Sequence, residues 1–317
     1  MTRDDTQGAS HIIFVVRNDA STSALLFQTS DATWQAYNSY GGYSLYGGTT
    51  SYPGGHAVKV SYNRPFSTRD SPTEDFFFNA EYPMVRFLEA NGFDVSYSTD
   101  VDSDRRGNLI TQHGTWMSVG HDEYWSAAQR ANVTAARDAG KNLAFFSGNE
   151  VYWKVRYENS TDGSSTPYRT LVCYKEGTLG ELACGGKCDP DASVWTGLWR
   201  DGCAPTYTGQ DACAPENALS GNISWHGTSG ALSVPGSFAP MRLWRNTEVA
   251  TLGPEASLTL PDGTLGYEWD FEQYESTYPA SRVMLSTTLN DGLTHHLSLY
   301  RAGSALVFSA GTVQWSC

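Results

Sequence analysis

No apolar run in the 317 residues approaches the roughly 18 to 20 needed to span a bilayer; the longest candidate, Ile12–Val16, is one strand. Basic residues are scarce as well. Lys and Arg number 21 against 34 Asp and Glu, and the resulting formal charge of −13 makes the surface repel nucleic acid and anionic membrane. The opening MTRDDTQGAS has no apolar h-region, so the expectation is a cytoplasmic protein with neither nucleic acid nor membrane as partner. No Gly-x-Ser-x-Gly elbow is present and no cysteine precedes Cys173, which argues against a serine or cysteine hydrolase. What the chain does have is apolar and aromatic mass. Such residues make up 40% and 13% of it, with 10 Trp and 18 Tyr, enough for a large core and far from a disordered composition.

The six cysteines all lie in the second half, at 173, 184, 188, 203, 213 and 317. An even count permits disulfides, but the N-terminus gives no sign of export. Cys184-x3-Cys188 is not a usual zinc spacing, and no nearby histidine completes a ligand set. The sequons at Asn132, Asn159 and Asn222 read as chance triplets.

Periodicity organises the rest. Short apolar strands at Ile12–Val16, Ala24–Gln28, Phe93–Tyr97, Trp116–Val119 and Asn142–Phe146 alternate with helical patterns at Asn79–Asn91 and Ser126–Ala139. The first helix stops at Asn91-Gly92; the second is capped by Ser126 and ended by Gly140. This alternation predicts an α/β fold, a mostly parallel sheet with helices on both faces. From about 161 to 261 the pattern dissolves into turns, read as an irregular β-rich insertion. Strands then resume at Thr264–Trp269, Arg282–Thr287, His295–Tyr300 and Ala305–Ser309, the last rejoining the sheet. The expected organisation is one domain over 1–317, with a core of about 10–160 and 262–317 around an insertion of about 161–261.

In an open parallel sheet, ligands sit beyond the carboxyl ends of the strands. That edge collects Tyr37, Asn38, Tyr40, Gly41-Gly42 and Tyr43 after the second strand, and Glu81 and Tyr82 at a helix start. It also collects His121-Asp122-Glu123 after Trp116–Val119, and Ser147-Gly148-Asn149-Glu150 after Asn142–Phe146. Each has a plain reading. Acids at a helix start compensate its dipole, His121 is a loop residue satisfied by backbone, the Tyr-Gly segment is a stacking platform, and Asn149 is a turn residue. His295-His296 points to both faces of a strand, so at most one faces a site. Together, two phenols and a carboxylate are hard oxygen donors suited to a trivalent cation such as ferric iron rather than zinc. A phenol titrates near about pH 10, so a phenolate at neutral pH needs such a metal to hold it.

The segments WQAYNSYGGYSLY (34–46), EYPMVRFLEANGFDV (81–95), SVGHDEYWS (118–126), FFSGNEVYW (145–153), GYEWD (266–270) and ALVFSAGTVQWS (305–316) carry a resemblance. In this order and spacing they resemble the catalytic domain of the N,N-dimethylformamidase large subunit, over most of the chain and thinning between about 160 and 260. The resemblance implies a glutamine-amidotransferase-like or flavodoxin-like fold. It also implies a mononuclear Fe(III) site ligated by Tyr40, Tyr82 and Glu123, and polar residues at His121, Asn149 and Glu268. Glu268 would be the general base, while His121 and Asn149 would orient substrate or bind the oxyanion. Trp125 and Trp153 would wall off water. The implied activity is hydrolysis of a small N-substituted amide to a carboxylate and an amine, with a small helper subunit or self-association as partner. The alternative is a metal-free α/β module of the same family that binds carbohydrate or protein.

Overall fold

A computed structural model describes residues 11–48, 55–65, 76–176, 189–191, 193–194, 196–203 and 213–316, with the backbone of 2–3 and 8–9. Cys184, Cys188 and Cys317, and with them the zinc-spacing question, lie outside the described residues.

Seven strands form the main sheet, labelled in chain order β1 (Leu25–Thr29), β2 (Val95–Thr99), β3 (Thr115–Gly120), β4 (Asn142–Ser147), β5 (Val283–Met284), β6 (Ser298–Ala302) and β7 (Ala305–Ser309). Their order across the sheet is β5-β6-β7-β4-β3-β1-β2. β7, β4, β3, β1 and β2 run parallel, while β6 and β5 close one edge antiparallel. The β7–β4 pairing, with Val307 opposite Leu143, returns the C-terminal stretch to the sheet as the sequence pattern predicts.

Both faces are covered because neighbouring residues on each strand point opposite ways. Leu26, Trp116, Leu143 and Phe145 pack with Val133 and Ala136 of helix Ala127–Asp138. Phe27, Met117, Val119 and Ala144 pack with Met84 and Leu88 of helix Tyr82–Ala90. The first of these helices starts on a capping box: Ser126 Oγ accepts from Gln129 N at 3.0 Å and Gln129 Oε1 accepts from Ser126 N at 3.4 Å.

Several boundaries differ from the sequence reading. Ile12–Val16 pairs with no strand, and Ile12, Phe14 and Val16 are exposed, so apolar content there reflects neither pairing nor burial. The helix expected over 79–91 is two, Phe77–Ala80 and Tyr82–Ala90, broken at Glu81. His295–Tyr300 splits as well: His295 ends a hairpin (Thr288–Asn290 with Leu293–His295), and β6 begins at Ser298. His295 is fully buried, with Nδ1 at 2.8 Å from the Asp270 carbonyl, and burial lowers its pKa to about 4, a structural histidine.

A second sheet of four strands, in the order Lys59–Ser61, Thr170–Val172, Trp153–Glu158, Tyr124–Ser126, was not legible in the pattern. It stands beside the carboxyl edge of the main sheet through β3, because Tyr124–Ser126 follows Gly120 within a few residues. The 161–261 stretch contributes Thr170–Val172 and most of an antiparallel pair, Gly230–Pro235 with Ser257–Leu265. A disulfide joins Cys203 to Cys213, with Cα atoms 4.2 Å apart, and Cys173 is a buried free thiol. Among the described residues, no helix is long and apolar enough to cross a membrane.

Candidate functional site

Three parallel strands deliver their polar residues to one edge, and two glycines let the loops close there. At Gly120 the backbone has φ +85°, and a Cβ would meet the Ala80 side chain and carbonyl at 2.7–2.9 Å. At Gly148 a Cβ would lie 2.9 Å from Thr312 Cα and Val313 N. Beyond Gly120 come His121, Asp122 and Glu123; beyond Gly148 come Asn149 and Glu150. Asn149 and Val151 hold left-handed backbone (φ 48° and 57°), an unfavourable state for a β-branched valine that concentrates at functional loops. The turn is fixed from outside: Asn149 N donates to Asp270 Oδ1 at 2.7 Å, and Tyr152 N and Trp153 N both donate to the Glu123 carbonyl at 2.9 Å.

Glu123 is the centre of the arrangement. Tyr37 Oη donates to its Oε2 at 2.9 Å, and Tyr46 Oη lies 2.8 Å from both carboxylate oxygens. The two phenol rings stack with centroids 4.3 Å apart, and Tyr124 Oη donates to Tyr46 Oη at 2.5 Å. His121 Nε2 is 3.4 Å from Glu123 Oε2 and 3.0 Å from Glu268 Oε2, while Asn149 Nδ2 donates to Glu268 Oε2 at 2.9 Å. Glu268 arrives from the far end of the chain through Trp269, which bridges His226 on one side and Thr312 on the other. So Glu123, His121, Asn149 and Glu268, each predicted from sequence, meet in one buried cluster.

Tyr40 and Tyr82 do not join it. Tyr40 sits 58% exposed before the Gly41-Gly42 reversal, its amide held by Asn38 Oδ1 at 3.0 Å and its carbonyl by Arg64. Tyr82 is 38% exposed and packs its ring on Phe77 and Phe78. The inward position at that helix start is Glu81, fully buried, whose Oε1 accepts from Ser30 Oγ at 2.6 Å and Trp34 Nε1 at 2.7 Å. One residue further along a helix turns the side chain by about 100°, which carries Tyr82 outward. The tyrosines that face Glu123 are therefore Tyr37 and Tyr46, from the same WQAYNSYGGYSLY segment. Tyr37 ends helix Asp31–Tyr37, whose inner face packs Ala32 and Ala36. Trp125 likewise lies in the sheet core against Trp116 and Phe145 instead of walling the site.

The cluster opens into a cavity of about 360 Å3 lined by Tyr37, Tyr46, Glu123, Asn149 and Glu268 together with His56, Tyr152, Trp153, Lys175 and Trp225. Sequence reasoning missed Lys175 and Trp225, which come from the stretch read as a loop-rich insertion and carry no local signal. Lys175 Nζ sits 3.3 Å from the Tyr46 ring centroid and 4.7 Å from that of Trp153, a cation–π contact on a residue with φ 50°.

Electrostatics separates the two glutamates. Burial pushes the Glu123 carboxyl up, and the nearby Glu268 charge adds to that, against His121 and Lys175. Burial also pushes Glu268 up, but His121, Asn149 and Lys175 outweigh it and hold the group below its ordinary value, ionised at neutral pH. The phenols of Tyr37 and Tyr46 are driven well up by burial and by the Glu123 charge, so they stay protonated donors to the carboxylate unless a cation replaces their protons.

Behind the site lies a row of buried acids. Burial raises Asp31, Asp122 and Asp270 to about 7 and Glu81 to about 8. These groups hold protons in the folded chain that the unfolded chain releases near their ordinary values of 3.8 and 4.5. Their contribution to stability is full below about pH 4 and is lost as pH rises through 7 to 8. His295 works in the opposite direction only below pH 6.5. The melting temperature is therefore expected to fall steadily between pH 6.5 and 8.5 at constant ionic strength; a flat or rising calorimetric profile there contradicts the buried-acid assignment.

Over residues 1–317 the chain matches the family described as N,N-dimethylformamidase beta subunit-like, C-terminal. It belongs to that family. The description speaks of a beta subunit rather than a large subunit, and the match extends through the 160–260 stretch where the quoted motifs thin out. No curated protein matches the chain. Among the described residues, no group of three or more His, Cys, Asp or Glu is arranged to hold a metal ion. A metal in this dimethylformamidase-like chain would thus depend on phenol oxygens, and their placement fits one. Neighbouring donors on an octahedral centre with metal–oxygen bonds of about 2.0–2.1 Å lie about 2.9 Å apart. The Tyr37 and Tyr46 hydroxyls each stand 2.8–2.9 Å from an oxygen of the Glu123 carboxylate.

Proposed function

We propose that this chain is an iron-dependent amide hydrolase that cleaves the C–N bond of a small N-substituted amide, N,N-dimethylformamide-like, to a carboxylate and an amine. The mononuclear Fe(III) would be held by Tyr37, Tyr46 and Glu123. The observation that carries the reading is the convergence of two phenol hydroxyls on one buried carboxylate, with His121, Asn149 and Glu268 against the same spot. When bound, ferric ion supplies Lewis acidity toward the amide carbonyl and toward water.

The chain's own groups divide the remaining work. Glu268 is ionised and is the general base: it takes the proton from the attacking water as the new C–O bond forms. The same proton then goes to the nitrogen as the C–N bond breaks, which leaves the amine and a carboxylic acid that releases its own proton to become the carboxylate. Asn149 Nδ2 and His121 Nε2, both within 3.0 Å of Glu268 Oε2, fix that carboxylate, and the second N–H of the Asn149 amide would meet the developing oxyanion. The aromatic walls limit water access.

Tyrosinate bound to ferric iron absorbs visible light strongly, which gives the test. Loaded protein is expected to be coloured with about one iron per chain. Tyr37→Phe and Tyr46→Phe each bleach the band, and Tyr40→Phe and Tyr82→Phe leave it in place. Bleaching by the second pair alone reverses the ligand assignment. A wild-type chain that stays colourless in ferric iron favours the metal-free binding module.

Because the family description names a beta subunit, the proposal extends to an assembly, either with a small helper chain or between copies. The formal charge of −13 disfavours nucleic acid and anionic membrane as partners. Cytoplasmic residence is the part of the reading that the Cys203–Cys213 bond weighs against, since such bonds persist in oxidising compartments.

A further inference from the structure

Resting on the amide-hydrolase reading, we propose that the preferred substrate is an N-substituted amide with a neutral aromatic arm, gripped by Trp225 at the cavity mouth. Volume comes first. A cavity of about 150 Å3 is enough for benzene, and an amide the size of dimethylformamide is no larger. The observed cavity of about 360 Å3 has room for such an amide and an aromatic ring together.

The walls select the kind of arm. Glu123 is 2% exposed at the floor and Trp225 is 42% exposed at the opening, with Tyr152 and Trp153 between them in edge-to-face contact, centroids 5.2 Å apart. Offset and edge-on approaches to such faces favour another ring over an alkyl chain of equal size. An anionic arm is disfavoured, because the charge of Lys175 already faces Glu123 and Glu268.

Trp225 is also held in place, unlike an incidental surface side chain. Ser224 before it has φ +73°, and its Oγ accepts from Arg200 Nη1 at 3.1 Å. Arg200 is pinned by the buried Glu216 carboxylate at 2.7 Å and stacks on Tyr152. His226 after it pairs with Trp269 by N–H to carbonyl bonds of 2.8 and 3.3 Å, the bridge that also delivers Glu268. Specificity at the mouth and chemistry at the floor are thereby set by one piece of backbone.

The test uses the full chain carrying Glu268→Gln, titrated with N,N-dimethylbenzamide and with N,N-dimethylformamide by calorimetry and tryptophan fluorescence. The benzamide is expected to bind about 30-fold tighter, the effect of burying one ring. Adding Trp225→Ala cuts that ratio about 10-fold, and Trp225→Phe, which keeps a ring, restores most of it; melting temperatures report that all variants fold. Affinities within twofold of each other, no binding of the benzamide, or an alanine variant that weakens both ligands equally overturns the proposal. If wild-type chain releases dimethylamine from neither amide while the binding ratio holds, the hydrolase reading fails and the aromatic recognition stands.

Discussion

Glu123→Gln is expected to empty the iron site and lower amide turnover by more than about 1,000-fold, about 4 kcal/mol of transition-state stabilisation. The carboxylate accepts from Tyr37 and Tyr46 through both oxygens, and an amide has only one oxygen to offer. Its NH2 group would face one of the two hydroxyls, which loses the carboxylate oxygen it now donates to. Leaving one buried donor unmatched costs about 1–3 kcal/mol, so the variant should also melt lower than the parent. Metal analysis, visible absorption and calorimetry read the three consequences separately. A Glu123→Gln chain that keeps its iron and its turnover removes the basis for the ligand assignment.

Glu268→Gln should behave differently: iron and colour retained, turnover reduced about 100-fold or more, as for a lost general base. The distinction follows from geometry. Glu268 lies against His121 and Asn149, and neither phenol hydrogen-bonds it. Since these neighbours hold its carboxyl below the ordinary value, the acid limb of kcat/KM in the parent lies below about pH 4.5, and the variant should lose that limb. Parent-like rates in the glutamine variant, or an acid limb that stays in place, dismiss the base role.

His121, Glu123 and Asn149 could be found in advance because each directly follows a parallel strand, and such strands open their carboxyl ends onto a common crevice. The same logic failed for Tyr40 and Tyr82. A strand end says which loops converge but not which side of a loop residue faces inward. Gly41-Gly42 turned one tyrosine out, and a rotation of one residue at Glu81 turned out the other. Tyr37 and Tyr46 were in view in the quoted motif, but choosing them required knowing that helix Asp31–Tyr37 buries its Ala32 and Ala36 face beside Glu123. Glu268 had no strand-end argument at all; the family resemblance alone pointed to it, and the Trp269 bridges explain how it arrives.

Local pattern therefore determined the parallel core and its two helical covers, because alternation and run length respond to burial on one or both faces of a strand. It also determined which loops collect at the polar edge. Tertiary structure decided what no window of residues encodes. It chose Tyr37 and Tyr46 as the partners of Glu123, built a second sheet from strands as short as Lys59–Ser61, and brought Lys175 and Trp225 to the cavity from a turn-rich stretch. Those outcomes depend on contacts between residues well separated in the chain, as Tyr37 and Glu123 are by 86 positions. Their free energy comes from shared burial and paired hydrogen bonds, which exist only once both partners are in place.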